Sequence, residues 1–259
     1  MAITLKSRQQ IDLLHESGQL VRQTFDLLRK HIRPGITTAE LDAIAEEFIL
    51  SKDAETIYKG YAPASRRGPP LPPFPATICA SVNDVICHGI PSTRQRLRQG
   101  DIVGIDIGLR YKGWVGDACV TFPVGDIDDA SHRLLEATQH CLALAIQEAR
   151  VGKTLGDIGA AIQGYAEPNG FSVVREYTGH GLGRTLHEDP TVYHFGEPNT
   201  GRKILTGMVF TIEPMINLGK AETRVDKDRW TVRTADGSRS AQFEHTLAIT
   251  DSGPIILTA

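Results

Sequence analysis

Cysteine is scarce in this chain, and none of it falls in a pattern that binds metal or staples a small fold. Cys79, Cys87, Cys119 and Cys141 are the four present in 259 residues, with no C-x-x-C spacing. In a chain long enough to bury a sizeable core they read as reduced thiols, not a disulfide framework or a Cys-rich structural zinc site. Positive charge is not in excess. A net charge of −3 and a pI near 6.3 give no basic footprint for specific nucleic-acid binding. Apolar residues never run to the roughly 18 that a membrane span needs. The opening MAITLKSRQQ has no basic segment followed by an apolar one. These absences predict a cytoplasmic globular protein with no membrane partner. The chain also lacks G-x-S-x-G and the phosphate-loop lysine motif, and its GHGLG at 179–183 is not G-x-G-x-x-G. Serine-hydrolase and nucleotide-binding readings therefore have no support.

Hydrophobic residues make up 41% and charged residues 23%, which fits an ordinary globule of one large domain or two small ones. Ser7 to Gln10 has capping-box spacing, followed by a helical stripe of Ile11, Leu14, Gly18, Val21, Phe25 and Leu28. Thr37 and Glu40 form a second box ahead of Leu41, Ile44, Ala45 and Phe48. A long helix is predicted within 125–152, then another with Thr154 as cap and Asp157 three residues on. R-P-G-I-T at 33–37 and R-V-G-K-T at 150–154 keep an offset of 117, which either shared turn chemistry or an internal duplication explains. Strand-like segments follow each helix pair: TICASVNDVICHGI, DIVGIDIGLRY and WVGDACVTFPV, then FSVVREYTGHGLG, GMVFTIEPMINLG and SAQFEHTLAIT. Helices then hairpins, twice, predict an α+β fold with mostly antiparallel sheet. RRGPPLPPFP at 66–75 reads as a stiff surface loop.

Two carboxylates break the strand pattern. Asp106 lies in DIVGIDIGL and Asp117 in WVGDACV, where a buried, unpaired carboxylate is costly. A hairpin turning at Tyr111-Lys112 puts Asp106 directly opposite Asp117. Their face is then the one away from Ile105, Ile107 and Leu109, and Gly104 and Gly108 clear space on it. Facing like charges destabilise a sheet unless a cation lies between them. Glu213 follows TI on the face opposite Phe210 and Ile212, Glu244 points away from Phe243 and His245, and His180 sits among glycines. Singly, a strand glutamate is ordinarily a solvated edge residue and a lone histidine is ordinarily structural. Together, Asp106, Asp117, His180, Glu213 and Glu244 are an oxygen-rich set with one imidazole, suited to cobalt, manganese, iron or zinc in a hydrolytic site. Four carboxylates neutralise two divalent ions, and a metal pair can acidify a bridging water and polarise a carbonyl, as amide hydrolysis requires.

The segments SVNDVICHGIP, GDIVGIDIG, GWVGDACVTF, YTGHGLGRTLHEDP, GMVFTIEPMI and SAQFEHTLAIT, in this order, resemble the type I methionine aminopeptidases of the pita-bread metallopeptidase family. The resemblance implies one pita-bread catalytic domain over 1–259, with similar halves of roughly 1–125 and 126–259. It implies that Asp106 chelates one metal, that His180 and Glu213 bind the other, and that Asp117 and Glu244 bridge them. By the same resemblance Glu213 shuttles a proton, His88 contacts substrate near the scissile amide, and His187 stabilises the carbonyl oxygen. The implied reaction is attack of a metal-bridging water on the amide after an initiator methionine, where the second residue is small and uncharged. Phe74, Cys79 and Trp230 are implied in the methionine pocket, and the backbone near Asn83, Val85 and Ser240 in holding a monovalent cation. Implied partners are the N-termini of nascent polypeptides, with the ribosome surface a candidate contact and a monomer the expected state. The chain departs from the family at GPPLPPFPAT, at Gly68 and Leu71 in the pocket wall, and at Leu186, where an aromatic is common. The chemistry is expected to survive these changes and the pocket shape to differ. Rival readings are an X-Pro peptidase of the same fold, whose usual N-terminal domain finds no room in 259 residues, and a metal-free binding module.

Overall fold

The computed structural model describes residues 3–63 and 70–259. Both capping boxes read from the sequence form. Ser7 accepts the Gln10 N–H and opens α1 (Arg8–Arg29), and Thr37 accepts the Glu40 N–H and opens α2 (Thr38–Ser51). Each offsets helix-end N–H groups that would otherwise go unpaired. The whole α1 stripe, Ile11 to Leu28, is buried.

The chain then forms β1 (Glu55–Thr56), β2 (Cys79–Val82), β3 (Val85–Cys87), β4 (Ile102–Tyr111) and β5 (Trp114–Pro123). α3 (Asp129–Glu148) and α4 (Leu155–Ala166) follow, α4 entered through a box in which Asp157 accepts both the N–H and the hydroxyl of Thr154. The rest is β6 (Ser172–Val173), β7 (Gly179–Gly181), β8 (Glu188–Val192), β9 (Val209–Ile212), β10 (Met215–Asn217), β11 (Thr223–Val225), β12 (Val232–Thr234), β13 (Ser240–Gln242), β14 (His245–Thr250) and β15 (Gly253–Ile256). Every pairing among these strands is antiparallel. β4 is flanked by β5 on one edge and by β1 and β2 on the other, while β15, β14, β9, β7 and β8 form a second sheet in that order.

Two helix pairs cover these sheets. Val21, Phe25, Leu41 and Ile49 pack on Val103, Ile105, Ile107 and Leu109, and Leu134, Ile158 and Ile162 share a core with Phe210, Ile212 and Leu247. The cap residues of α2 and α4 also behave alike, each making an isolated bridge, Thr37 to Arg96 and Thr154 to Lys203. Fully burying each such aliphatic side chain contributes ~1.5–3 kcal/mol, so the α1–α2 face of β4 is set by packing and its other face is left for polar groups. Among the described residues no helix is long and apolar enough to cross a membrane.

The β4–β5 turn differs from the expectation. It uses Lys112 and Gly113, at φ 51° and 77°, and pairs Tyr111 with Trp114. Two consecutive left-handed residues make the tight turn whose twist suits a hairpin. The register therefore moves by two. Asp106 lies opposite Cys119, and Asp117 opposite Gly108. A shift of two keeps both aspartates on one face but makes them diagonal neighbours instead of a facing pair.

Of the Pro-rich stretch, residues 66–69, with Gly68, lie outside the described residues. Its end is not a free surface loop. Phe74 is buried and exchanges backbone hydrogen bonds with its surroundings, donating to the Tyr61 carbonyl and accepting from Gly60, and the Pro72 carbonyl accepts the Trp230 indole N–H at 2.8 Å.

Candidate metal centre and substrate cavity

The five expected ligands come from five separate places and meet in one cavity of about 430 Å³. Asp106 and Asp117 enter from β4 and β5. His180 is central in β7, where a Cβ on Gly179 or Gly181 would lie 2.4 Å from the Thr211 carbonyl or 2.1 Å from that of Asp189, so only glycine lets the strands close around it. Glu213 follows β9. Glu244 falls in the break between β13 and β14, its N–H donating to the Cys119 carbonyl. Ligand atoms of Asp117, His180 and Glu244 lie within 4.8 Å of one another, and Glu213 Oε1 is 3.7 Å from His180 Nε2.

His180 is oriented for ligation. Its Nδ1 donates to the Gly181 carbonyl at 3.1 Å, leaving Nε2 toward Asp117 Oδ2 at 3.5 Å and Glu213. A metal-binding histidine is typically fixed this way through its other nitrogen. Burial alone would lower its pKa, but the hydrogen bond to Asp117 and the charge of Glu213 outweigh it and raise it to about 9. Glu213 is held on all sides: Oε1 accepts from Thr211, Oε2 from Gln242, and its backbone N–H donates to His194 Nε2.

The donor set fits divalent cations. Asp117, Glu213 and Glu244 are buried and Asp106 half-buried, and among the described residues His180 is their one cationic neighbour within ion-pair reach. Burial first, then mutual repulsion, push Asp106 and Glu244 well above the usual carboxylate range. Burial likewise lifts Glu213 to about 7 despite His180. Such crowding disfavours the charges on Asp106, Glu213 and Glu244 unless positive charge is added, and oxygen donors with one imidazole match a hard or borderline ion.

His88 and His187 stand at the cavity's edge. His88 takes φ 55°, an uncommon conformation for a side-chain-bearing residue. Its ring meets Tyr177 and Trp230 edge-on at 5.6 and 6.0 Å, and burial lowers it to about 4. His187 is exposed at the mouth, 4.3 Å ring to ring from His180, with Nδ1 2.8 Å from the Tyr61 hydroxyl. Desolvation on its cavity side, then His180, hold it at about 4. Phe74, Cys79 and Trp230 line the same cavity, Phe74 edge-on to Trp230 at 5.3 Å, and Leu186 closes the wall. Asn83 and Ser240 also meet, the Ser240 N–H donating to the Asn83 carbonyl at 2.9 Å, while Val85 pairs with Arg233 in the adjacent strand.

Tyr58, Tyr61, Gln242 and His194 are not among the residues expected from sequence. Tyr58 Oη lies 2.6 Å from Oδ1 of both Asp106 and Asp117, donating toward each. One phenol has one proton, so it donates to one carboxylate at a time while its oxygen stays within contact distance of both. The available sequence signal is Gly108: an opened space beside a carboxylate calls for something to fill it.

Carboxylates this crowded call for cations, and an apolar cavity beside them calls for an organic substrate. The class so defined is a metal-dependent hydrolase with the pita-bread fold. The family model for metallopeptidase family M24 matches residues 12–251. The methionine aminopeptidase 1 of Bacillus subtilis is 47% identical over 256 residues, 99% of each chain, and the methionine aminopeptidase of Escherichia coli K12 is 42% identical over 100% of this chain and 94% of its own. A crystal structure of methionine aminopeptidase from Rickettsia prowazekii superposes with a TM-score of 0.93 at 40% identity over the full length of both. A prolidase from Pyrococcus furiosus, at 20% identity and a TM-score of 0.77, shares the fold over 98% of this chain and 65% of its own. The chain belongs to metallopeptidase family M24 and, within it, to the methionine aminopeptidases.

Proposed function

We propose that this protein is a dinuclear aminopeptidase that removes the initiator methionine from nascent chains whose second residue is small and uncharged. The convergence of five ligand-type side chains, two histidines and an aromatic pocket on one cavity carries this reading. Asp106, Asp117, His180, Glu213 and Glu244 would hold the two divalent ions, Asp106 toward one, His180 and Glu213 toward the other, and Asp117 and Glu244 shared between them. Bound there, cobalt, manganese, iron or zinc supplies a Lewis acid for the scissile carbonyl and an acidified water as nucleophile.

The chain's own residues do the rest. Phe74, Cys79 and Trp230 receive the methionine side chain, and Trp230 is fixed by its bond to Pro72. Glu213 takes a proton at a carboxylate oxygen and returns it to the leaving amine, as general acid–base exchange requires. With Tyr61 Oη donating to its Nδ1, His187 carries its hydrogen on Nε2 and donates it to the carbonyl oxygen as charge develops there. His88 donates to the substrate near the scissile amide.

The same reading treats 1–259 as one catalytic domain with halves of roughly 1–125 and 126–259, acting as a cytoplasmic monomer on nascent N-termini, with the ribosome surface as a candidate contact. A monovalent cation near Asn83, Val85 and Ser240 is a further part of it. Competition assays with Met-Ala-Ser, Met-Leu-Ser and an X-Pro peptide test it. The expected order is Met-Ala-Ser cleaved fastest and X-Pro uncut. Preferential X-Pro cleavage overturns it.

A further inference from the structure

We propose that Tyr58 is a positioning residue of the metal cage, its hydroxyl set between Oδ1 of Asp106 and Oδ1 of Asp117 and donating its one proton to either, so that the remaining oxygens face the cavity. The inference rests on the metal reading above.

Three observations support it. Tyr58 is 8% exposed, and its ring occupies the space that Gly108 leaves: a Cβ on Gly108 would sit 2.4 Å from ring Cε1. Sheet pairing puts it there, because Thr56 in β1 lies opposite Leu109, one residue beyond Gly108. The hydroxyl then reaches Oδ1 of both aspartates at 2.6 Å, while Oδ2 of Asp117 stays turned to His180 at 3.5 Å. The shifted hairpin register makes such a tie necessary. Diagonal aspartates are not held together by direct opposition, and the phenol joins them from the side.

Tyr58 also touches the pocket, its ring edge-on to Phe74 at 6.5 Å. A purely packing role would be satisfied by that ring alone. The hydroxyl separates the two roles, because partners behind a metal's ligands commonly control affinity by about 10–100-fold.

The experiment titrates metal-free wild type, Tyr58→Phe and Gly108→Ala with Mn²⁺ by calorimetry, and records the visible d–d bands of each after Co²⁺ loading. Phe keeps the ring and removes the hydroxyl; a Cβ at 108 displaces the ring and leaves the hydroxyl chemically intact. We expect both variants to bind Mn²⁺ about 10–100-fold more weakly than wild type and to shift the Co²⁺ bands. Wild-type affinity and unchanged bands in Tyr58→Phe overturn the role of Tyr58 while leaving the metal reading standing. Failure of wild type itself to bind Mn²⁺ overturns both.

Discussion

His194 Nε2 accepts the backbone N–H of Glu213 at 3.2 Å, with both residues buried and the other imidazole nitrogen without a partner among the described residues. Burial keeps the imidazole neutral, lowering it to about 3, so the acceptor persists over the working pH range. Removing it strands the buried N–H of Glu213 directly behind its carboxylate. His194→Ala is expected to cost ~1–3 kcal/mol of stability. That corresponds to roughly 2–4 °C in Tm per kcal/mol for a chain of this size. Calorimetric melting of the metal-free protein checks this, and an unchanged Tm counts against it.

Glu213 is expected to act through proton transfer as well as ligation. Glu213→Gln keeps the shape and the contact with Thr211 but cannot take a proton. Steady-state kinetics on Met-Ala-Ser should show kcat down by about 100- to 10,000-fold. A loss confined to KM would assign Glu213 to binding alone.

Metal affinity should rise with pH, and the sign follows from the cage. Glu213, raised from 4.5 to about 7, contributes stability to the metal-free fold that is fully present below about 4.5 and lost as pH rises through about 7. Asp106 and Glu244 are shifted in the same direction. A bound cation needs these groups deprotonated, so it displaces fewer protons at higher pH. The Tm gap between Mn²⁺-loaded and metal-free protein should therefore widen from about pH 6 to about pH 8, with proton release detectable by calorimetry in buffers of different ionisation enthalpy. A gap that narrows contradicts the cage.

Trp230 forms the pocket wall with Phe74 and is anchored to Pro72. Trp230→Ala should lower kcat/KM for Met-Ala-Ser on the order of 10- to 100-fold, from the ~1.5–3 kcal/mol that burying a methionine-sized side chain contributes. Mn²⁺ affinity should stay within a factor of a few. Equal losses in both would place Trp230 with the metal rather than the methionine.

The helices were legible because capping boxes and apolar stripes are local signals, and Ser7, Thr37 and Thr154 behave as their neighbours dictate. The face on which Asp106 and Asp117 lie was legible too, since alternation puts them on the side away from the core aliphatics, and the observed shift of two preserves it. The register itself was not, because Lys112 can accept a left-handed backbone beside Gly113 and lysine does not advertise it. Tyr58 and His194 escaped for a different reason. Tyr58 meets its carboxylates across 48 and 59 positions of sequence, and its neighbours give no periodic cue. His194 is one imidazole in an irregular segment after β8, and only the folded backbone of Glu213 reveals what it accepts.

The most direct test is to follow Met-Ala-Ser hydrolysis while metal-free protein is titrated with Mn²⁺ and bound metal is counted. The expected result is no turnover without metal, turnover rising with occupancy to two ions per chain, and loss of both binding and turnover in Asp106→Ala and Glu244→Ala. Hydrolysis by the metal-free protein, or full metal occupancy in those variants, would contradict the central claim.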